Sequence, residues 1–347
     1  MGLEQFVTKL LNIKETDLQE LITLEKSDES LEIKLRLKPR PTTCPLCGSK
    51  VMRIFDAHVS IPRKPLPEVM SMDEHYFPES DYDSLYCCLL MNFRTGEMVD
   101  VLPDRRKNYL MHYFSGIKKE TLDYALRKSE LDNVRYISMD MYDPFRDIAS
   151  VYFPKALVCA DSFHVMKHLT DCFRQVVLNC RRRTEDENLK YLLSKFRFVL
   201  NHNAILDNEP KYNKRLGRYL NYRNLRDMMF ASFPEIQIAY ELKEFYIRIN
   251  NTCTLEDIPE ALENAILRFA DSGIEEYEPF YEMLTNWQRE IINSFTLIDG
   301  KRINNSFIES KNRILEKLLY NGNGFKNFQR TRNRILYCLN RNDTYKI

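Results

Sequence analysis

Leu31, Ile33, Leu35 and Leu37 alternate with Glu32, Lys34, Arg36 and Lys38, a period of two that predicts a strand with one buried face. A short helical pattern around Phe6 to Leu11 precedes it, and Pro39, Pro41 and Pro45 end it. Pro62, Pro65 and Pro67 then mark an extended connector, so residues 1–67 are expected to form a small β-containing module. From Glu68 the pattern changes. Short apolar runs predict a strand from Val69 to Asp73 and a hairpin joining Leu85 to Phe93 with Glu97 to Leu102 across Arg94-Thr95-Gly96. A helix follows from about Asn108 to Arg127, then a strand from Val134 to Asp140, a helix near Pro144 to Tyr152 and a strand from Ala156 to Asp161.

Three strands, a helix, a strand, a helix and a strand form an RNase H-like order, which places the first strand centrally and the fourth beside it. Long helical patterns come next, over Phe163 to Cys180, Leu189 to Leu206, Arg215 to Phe230 and on to about Phe295. Ser306 to Leu319 resumes with Phe307, Ile308, Ile314, Leu315, Leu318 and Leu319 at helical spacing. The expected fold is therefore α/β: an RNase H-like mixed sheet flanked by helices, a large all-helical insertion and a small N-terminal β-containing module. Residues 68–170 are expected to hold the first part of the core, 171–300 the insertion, and 301–347 a further helix and a basic tail.

Composition narrows the class without naming an activity. A chain of 347 residues, 44% hydrophobic and 12% aromatic, can bury a sizeable core. No apolar run approaches the roughly 20 residues that span a bilayer. Its start, Met-Gly-Leu-Glu-Gln, lacks a charged region followed by an apolar one, so a cytoplasmic location is expected. Nine cysteines lie scattered in apolar segments, which suits reduced core thiols better than a disulfide framework. Fifty-one basic side chains balance fifty acidic ones, so a nucleic-acid surface requires local segregation of charge.

Segregation of this kind is present. Between Lys311 and Lys346 stand Lys311, Arg313, Lys317, Lys326, Arg330, Arg332, Arg334, Arg341 and Lys346 against only Glu316 and Asp343, and Arg181, Arg182 and Arg183 form a second cluster. Such stretches neutralise DNA phosphates, although an isolated one is usually a solvated helix face. Trp287 and the tyrosines of the helical region have faces on which a base could stack, but helical spacing places them in a core more often. Cys44-Pro-Leu-Cys47 is half of a tetrahedral Zn²⁺ site whose remaining ligands are not evident, with His58 a third candidate.

The chemistry centres on Asp73, Asp140 and Glu309. Two of these acids end apolar strands and the third lies early in a helix, expensive places for charge. Singly, Asp73 and Asp140 read as caps and Glu309 as a partner of Arg313 at i+4. In the strand order above they become oxygen ligands for two Mg²⁺ or Mn²⁺ ions, the arrangement suited to phosphodiester cleavage. Asp161 and His164 form a second candidate element, accessory to that site or capping the following helix. Glu74, His75 and Asp143 are neighbours in sequence only, and alternation along the strand sends Glu74 to the face opposite Asp73.

Six ordered motifs carry a resemblance: Ser-Met-Asp73-Glu-His, Thr-Gly-Glu97-Met-Val-Asp-Val-Leu-Pro-Asp-Arg, Ile-Ser-Met-Asp140-Met-Tyr, Ala-Asp161-Ser-Phe-His-Val-Met-Lys, Asn-Ser-Phe-Ile-Glu309-Ser-Lys-Asn and Gly-Phe-Lys326-Asn-Phe. From about Glu68 to Leu339 the chain resembles bacterial insertion-sequence transposases of the ISL-three type. The resemblance implies a DDE triad of Asp73, Asp140 and Glu309, strand cleavage by water at element ends, and attack of the freed 3′ hydroxyl on target DNA. It further implies double-stranded DNA as partner and a homo-oligomer that brings two ends together. Two departures stand out. Ser162 replaces the arginine usual before Phe163, removing a phosphate contact. Only 48–67 separate the cysteine pair from the first catalytic strand, where the family carries a second pair and a helix-turn-helix. Against the transposase reading stand a catalytically incompetent relic that only binds DNA, which that shortening favours, and an RNase H-like nuclease.

Overall fold

The computed structural model describes residues 18–25, 31–37, 41–43, 50–52, 61–77, 81–321 and 327–340. Cys44, Cys47, His58, Lys326, Arg341, Lys346 and the expected helix at Phe6 to Leu11 lie outside the described residues. Strand β1 (Leu18–Glu25) pairs antiparallel with β2 (Leu31–Leu37), so the alternating run is a strand as its period requires. A second small antiparallel pair joins β3 (Pro41–Thr43) to β4 (Lys50–Met52).

At the centre of the chain lies a five-stranded mixed sheet in the order β7-β6-β5-β8-β9. Strands β5 (Val69–Tyr76), β6 (Tyr86–Asn92) and β7 (Met98–Leu102) form an antiparallel meander. Strands β8 (Tyr136–Met139) and β9 (Leu157–Ala160) add in parallel on the other side of β5. The first strand is therefore central and the fourth beside it, consistent with an RNase H-like transposase fold. Parallel strands need crossovers; helix α1 (Lys107–Thr121) lies on the route from β7 to β8 and α2 (Asp143–Tyr152) joins β8 to β9.

Alternation along the strands sorts the core into two layers. Met70 and Met72 of β5, Cys88 and Leu90 of β6 and Ile137 and Met139 of β8 pack with Phe114, Phe145 and Leu169 on one face. Cys87, Leu89 and Met91 face the other way, against Ile308, Leu315 and Leu318 of α10 (Ser306–Asn321) and Ile335 and Leu336 of α11 (Phe328–Leu339). Helices α10 and α11 thus cover the second face of the central sheet instead of trailing from it.

Between β9 and α10 run α3 (Ser162–Arg183), α4 (Glu187–Lys195), α5 (Tyr222–Ser232), α6 (Pro234–Thr252), α7 (Ile258–Ala270), α8 (Glu278–Asn286) and α9 (Gln288–Asn293). Phe269, Tyr277 and Phe280 are fully buried here, in edge-to-face contact at 4.8 and 4.9 Å for the pairs with Phe269. Trp287 is 5% exposed, with the Arg146 guanidinium 3.9 Å from its ring, so it is a core residue.

Several boundaries differ from expectation. The helix expected to Arg127 stops at Thr121, and the helix expected from Leu189 to Leu206 starts at Glu187 and gives way after Lys195 to a short 3-10 turn, Arg197–Leu200. The region is not all helical. Where a helix was expected from Arg215, β10 (Lys211–Asn213) and β11 (Arg218–Leu220) form a hairpin, and α5 starts only at Tyr222. Gly217 at φ +67° and the Asn213 side chain, which accepts from the backbone N–H groups of Arg215 and Leu216 at 3.1 and 3.2 Å, build the turn that a helix would have to break. A second, minimal pair joins β12 (Leu297–Ile298) and β13 (Lys301–Arg302).

Candidate active site

Strand β5 runs on through Asp73 to Tyr76, where a strand end at Asp73 was expected. Its polar tail continues to pair, Asp73 opposite Leu89 and His75 opposite Cys87, because the buried β6 supplies ladder partners beyond the apolar run. Asp73 and Asp140 are brought together by register. Met72 pairs in parallel with Met139, and Met139 with Ala160. The next residue on each strand line is an acid: Asp73, Asp140 and Asp161. Three carboxylates therefore stand in one row across three adjacent parallel strands, Asp140 and Asp161 just past the ends of β8 and β9 and Asp73 within β5, near the strand ends where open α/β sheets place their ligands. They are 3%, 8% and 0% exposed.

Each acid is held differently. Asp73 Oδ1 accepts from the Glu74 backbone N–H at 2.8 Å, and its Oδ2 accepts from Asn312 Nδ2 at 2.8 Å. Asp161 caps α3, accepting weakly from the Phe163 N–H at 3.5 Å, while the backbone N–H of Asn305 donates to the same Oδ1 at 3.0 Å. His164 Nε2 lies 3.1 Å from Asp140 Oδ1, off the line a hydrogen bond requires, and 3.8 Å from Asp161 Oδ2. Both of those oxygens are buried without a hydrogen-bond partner among the described residues. His164 therefore belongs to the cluster rather than only to the helix cap.

Burial of this order drives protons onto carboxylates. Desolvation raises the pKa of Asp73, against the pull of His164 and the Asn312 hydrogen bond. It raises Asp140 further, with the charges of Asp73 and Asp161 adding to the effect, and it raises Asp161 as well. Oxygens of Asp73 and Asp140 and a ring nitrogen of His164 all lie within 4.8 Å of one another. At that separation two carboxylate charges repel by about 3–4 kcal/mol even at an effective dielectric of about 20, so a proton or a cation must accompany them. Orphaned buried oxygens beside an acid row fit a hard divalent cation.

Glu309 lies on α10, one turn before Asn312. The helix is tied to the acid row on both sides of that position. Asn312 reaches Asp73, and Asn305, just before the helix, binds Asp161 with its backbone and donates its side-chain Nδ2 to the Met72 carbonyl at 3.2 Å. Asn305 is 1% exposed. Neither asparagine is among the site residues that the sequence predicts. Both flank the Glu309 motif, and an amide within one turn of an expected ligand is the signal that could have found them.

The remaining candidates separate by environment. Glu74 does point away from the row and pairs with Arg105, whose guanidinium lies 4.2 Å over the Tyr86 ring and 4.6 Å over the Tyr142 ring. Asp143 pairs with Arg146 at 2.5 Å in the first turn of α2. Arg181, Arg182 and Arg183 occupy the exposed last turn of α3, with Arg183 paired to Glu235 at 2.6 Å. Arg313, Arg330 and Arg334 are exposed. Two basic residues of the C-terminal cluster are turned inward. Lys311 Nζ donates to the Leu339 carbonyl at 3.0 Å, tying α10 to the end of α11. Arg332 corrects the expectation of a DNA contact: its Nε binds Asp100 Oδ1 at 2.6 Å and its Nη1 the Ile61 carbonyl at 2.7 Å, in a pair 11% and 4% exposed. None of the seven described cysteines is in a disulfide, and Cys87 and Cys88 face opposite layers. No helix among the described residues is long and apolar enough to cross a membrane.

None of the curated proteins compared matches the chain. A family model described as transposase, of the ISL-three DDE type, matches residues 70–335, which spans most of β5, the acid row, all the helices between and most of α11. The chain belongs to the ISL-three type of DDE transposases.

Proposed function

We propose that Asp73, Asp140 and Glu309 are the ligands of a two-ion Mg²⁺ or Mn²⁺ site that cuts DNA at the ends of an insertion sequence and joins the freed 3′ hydroxyl to target DNA. The observation that carries this reading is the placement of Asp73 and Asp140 side by side on adjacent parallel strands, with the helix bearing Glu309 bound to Asp73 through Asn312. Bound there, the cations neutralise the attacked phosphate and favour a deprotonated attacking oxygen. The chain itself supplies preorganisation. Asn312 holds one Asp73 oxygen in place, Asn305 fixes both the Asp161 carboxylate and the start of α10, and the apolar layer beneath the row keeps solvent from relaxing it. In the first step water attacks phosphorus and the 3′ oxygen leaves with a proton; in the second that 3′ hydroxyl attacks a target phosphodiester and displaces another 3′ oxygen. His164, beside Asp140 and Asp161, is placed to donate a hydrogen bond to a phosphate oxygen. Arg181, Arg182, Arg313, Arg330 and Arg334, all exposed, are the proposed phosphate contacts.

The test is cleavage of labelled duplex carrying the element end. Nicking should require Mg²⁺ or Mn²⁺ and fall to background in Asp73→Ala, Asp140→Ala and Glu309→Ala. Normal cutting by a protein with all three replaced would sink the assignment, and preferential cutting of RNA–DNA hybrid would favour a nuclease.

A further inference from the structure

Most described aromatic side chains in the region after β9 are buried or half-buried, and two of the exposed ones stand together. Tyr212 and Tyr219 face each other directly across the β10–β11 hairpin, with ring centroids 5.2 Å apart. They are 54% and 70% exposed. A cross-strand aromatic pair steadies a hairpin by only about 0.2–1 kcal/mol, and it would do so equally well with its outer surface covered. Here Leu220 is the anchor, 8% exposed, while the rings remain in solvent.

The charge on the hairpin itself has one sign, although Glu209 stands two residues before it. From Pro210 to Arg226 the chain carries Lys211, Lys214, Arg215, Arg218, Arg223 and Arg226 and no acid. Arg223 and Arg226 are spoken for by Asp207 and Asp227, and Arg215 by the Glu187 carbonyl and Asn188. Lys211, Lys214 and Arg218 have no carboxylate partner among the described residues. The platform is also stiff: the Gly217 N–H donates to the Asn213 carbonyl at 2.8 Å, and the Asn213 side chain closes the turn. Strand alternation puts Lys211 and Arg218, which donates to Met228 Sδ at 2.9 Å, on the hairpin face opposite the rings, with Lys214 in the turn between the strands. Exposed π-faces on one side of a hairpin whose turn and other side are basic are the elements of a surface for unpaired nucleic-acid bases and their flanking phosphates.

We propose that the β10–β11 hairpin binds DNA bases that have left the duplex, Tyr212 and Tyr219 stacking on them while Lys211, Lys214 and Arg218 contact adjacent phosphates. The proposal rests on the reading of the chain as a DNA-processing enzyme and adds to it a site distinct from the acid row.

The full chain is titrated against a labelled duplex and against the same duplex carrying a short unpaired bulge with a fluorescent adenine analogue. The unaltered protein should bind the bulged DNA more tightly and quench the analogue. Tyr212→Ala/Tyr219→Ala should weaken bulge binding about 5- to 100-fold, leave paired duplex unchanged and abolish quenching, while Tyr212→Phe/Tyr219→Phe should behave as the unaltered chain. Lys211→Gln/Lys214→Gln should weaken both DNAs and reduce the salt slope by about 2. An alanine pair that keeps the bulge preference and the quenching, with the fold intact by circular dichroism, would overturn the proposal. So would duplex binding by the unaltered chain with no preference for the bulge, which leaves the DNA reading standing. Failure to bind either DNA would overturn both.

Discussion

At the scale of single residues, the energetic problem is Asp73: a carboxylate 3% exposed and within reach of a second one. Its pKa is raised by burial and restrained by the Asn312 hydrogen bond and the nearby His164. Asn312 is therefore a positioning residue: it favours the ionised form that a cation requires and fixes the orientation of the carboxylate. Replacing it with alanine should push the Asp73 pKa higher still and lower metal-dependent cleavage about 10- to 100-fold, with a matching rise in the Mn²⁺ concentration needed. Mn²⁺ titration of the cleavage rate measures both. A fall in rate that saturating Mn²⁺ fully reverses would place the effect in metal affinity, and an unchanged titration would make Asn312 mere packing.

At the scale of elements, the joint that matters is between α11 and the far edge of the sheet. Arg332 on α11 binds Asp100 on β7, whose other oxygen accepts from the Tyr113 hydroxyl of α1 at 2.7 Å, so one ion pair ties three elements together. Removing one partner of a buried pair leaves the other charge uncompensated and costs about 3–5 kcal/mol. Arg332→Ala should therefore lower the urea midpoint strongly, and Asp100→Leu/Arg332→Met should recover most of the loss. A single replacement that shifts stability by less than about 0.5 kcal/mol would show the pair to be incidental. The same residue shows where reading the sequence stops. Counting charge placed Arg332 among DNA contacts, because composition registers a cation but not the carboxylate that folding brings to it from residue 100. The strands Val69–Tyr76, Tyr86–Asn92 and Tyr136–Met139 were legible because their apolar runs are short, β-branched or sulfur-rich and bounded by turn residues. The β10–β11 hairpin was not, since Leu216 and Leu220 stand four apart, a helical interval, and only the Gly217 turn contradicts it. Asp73 and Asp140 could be seen as neighbours once the strand order was read, whereas Asn305 and Asn312 acquire meaning only through partners more than 140 residues away.

At the scale of the whole molecule, the acid row sets how stability depends on pH. Asp140 has a folded-state pKa raised well above the ordinary carboxylate value of about 4, by burial first and by Asp73 and Asp161 second. A carboxyl group shifted upward binds its proton more tightly folded than unfolded. Its stabilising contribution is complete below about pH 4 and is lost progressively as the pH rises toward and through the raised folded value. Asp73 and Asp161 are shifted in the same direction and add to the loss. Without divalent cation the protein should therefore be less stable at pH 8 than at pH 5, once groups elsewhere are accounted for by comparison with Asp140→Asn, in which that part of the slope disappears. A divalent cation bound by the row supplies the positive charge that the proton otherwise brings, so Mn²⁺ should raise the melting temperature more at pH 8 than at pH 5 and have little effect on Asp140→Asn. Thermal melts at the two pH values, with and without Mn²⁺, decide the matter. Equal Mn²⁺ stabilisation of the parent and Asp140→Asn would mean that the cation binds elsewhere, and the acids that register draws together across β5, β8 and β9 would then need another explanation for the repulsion they sustain.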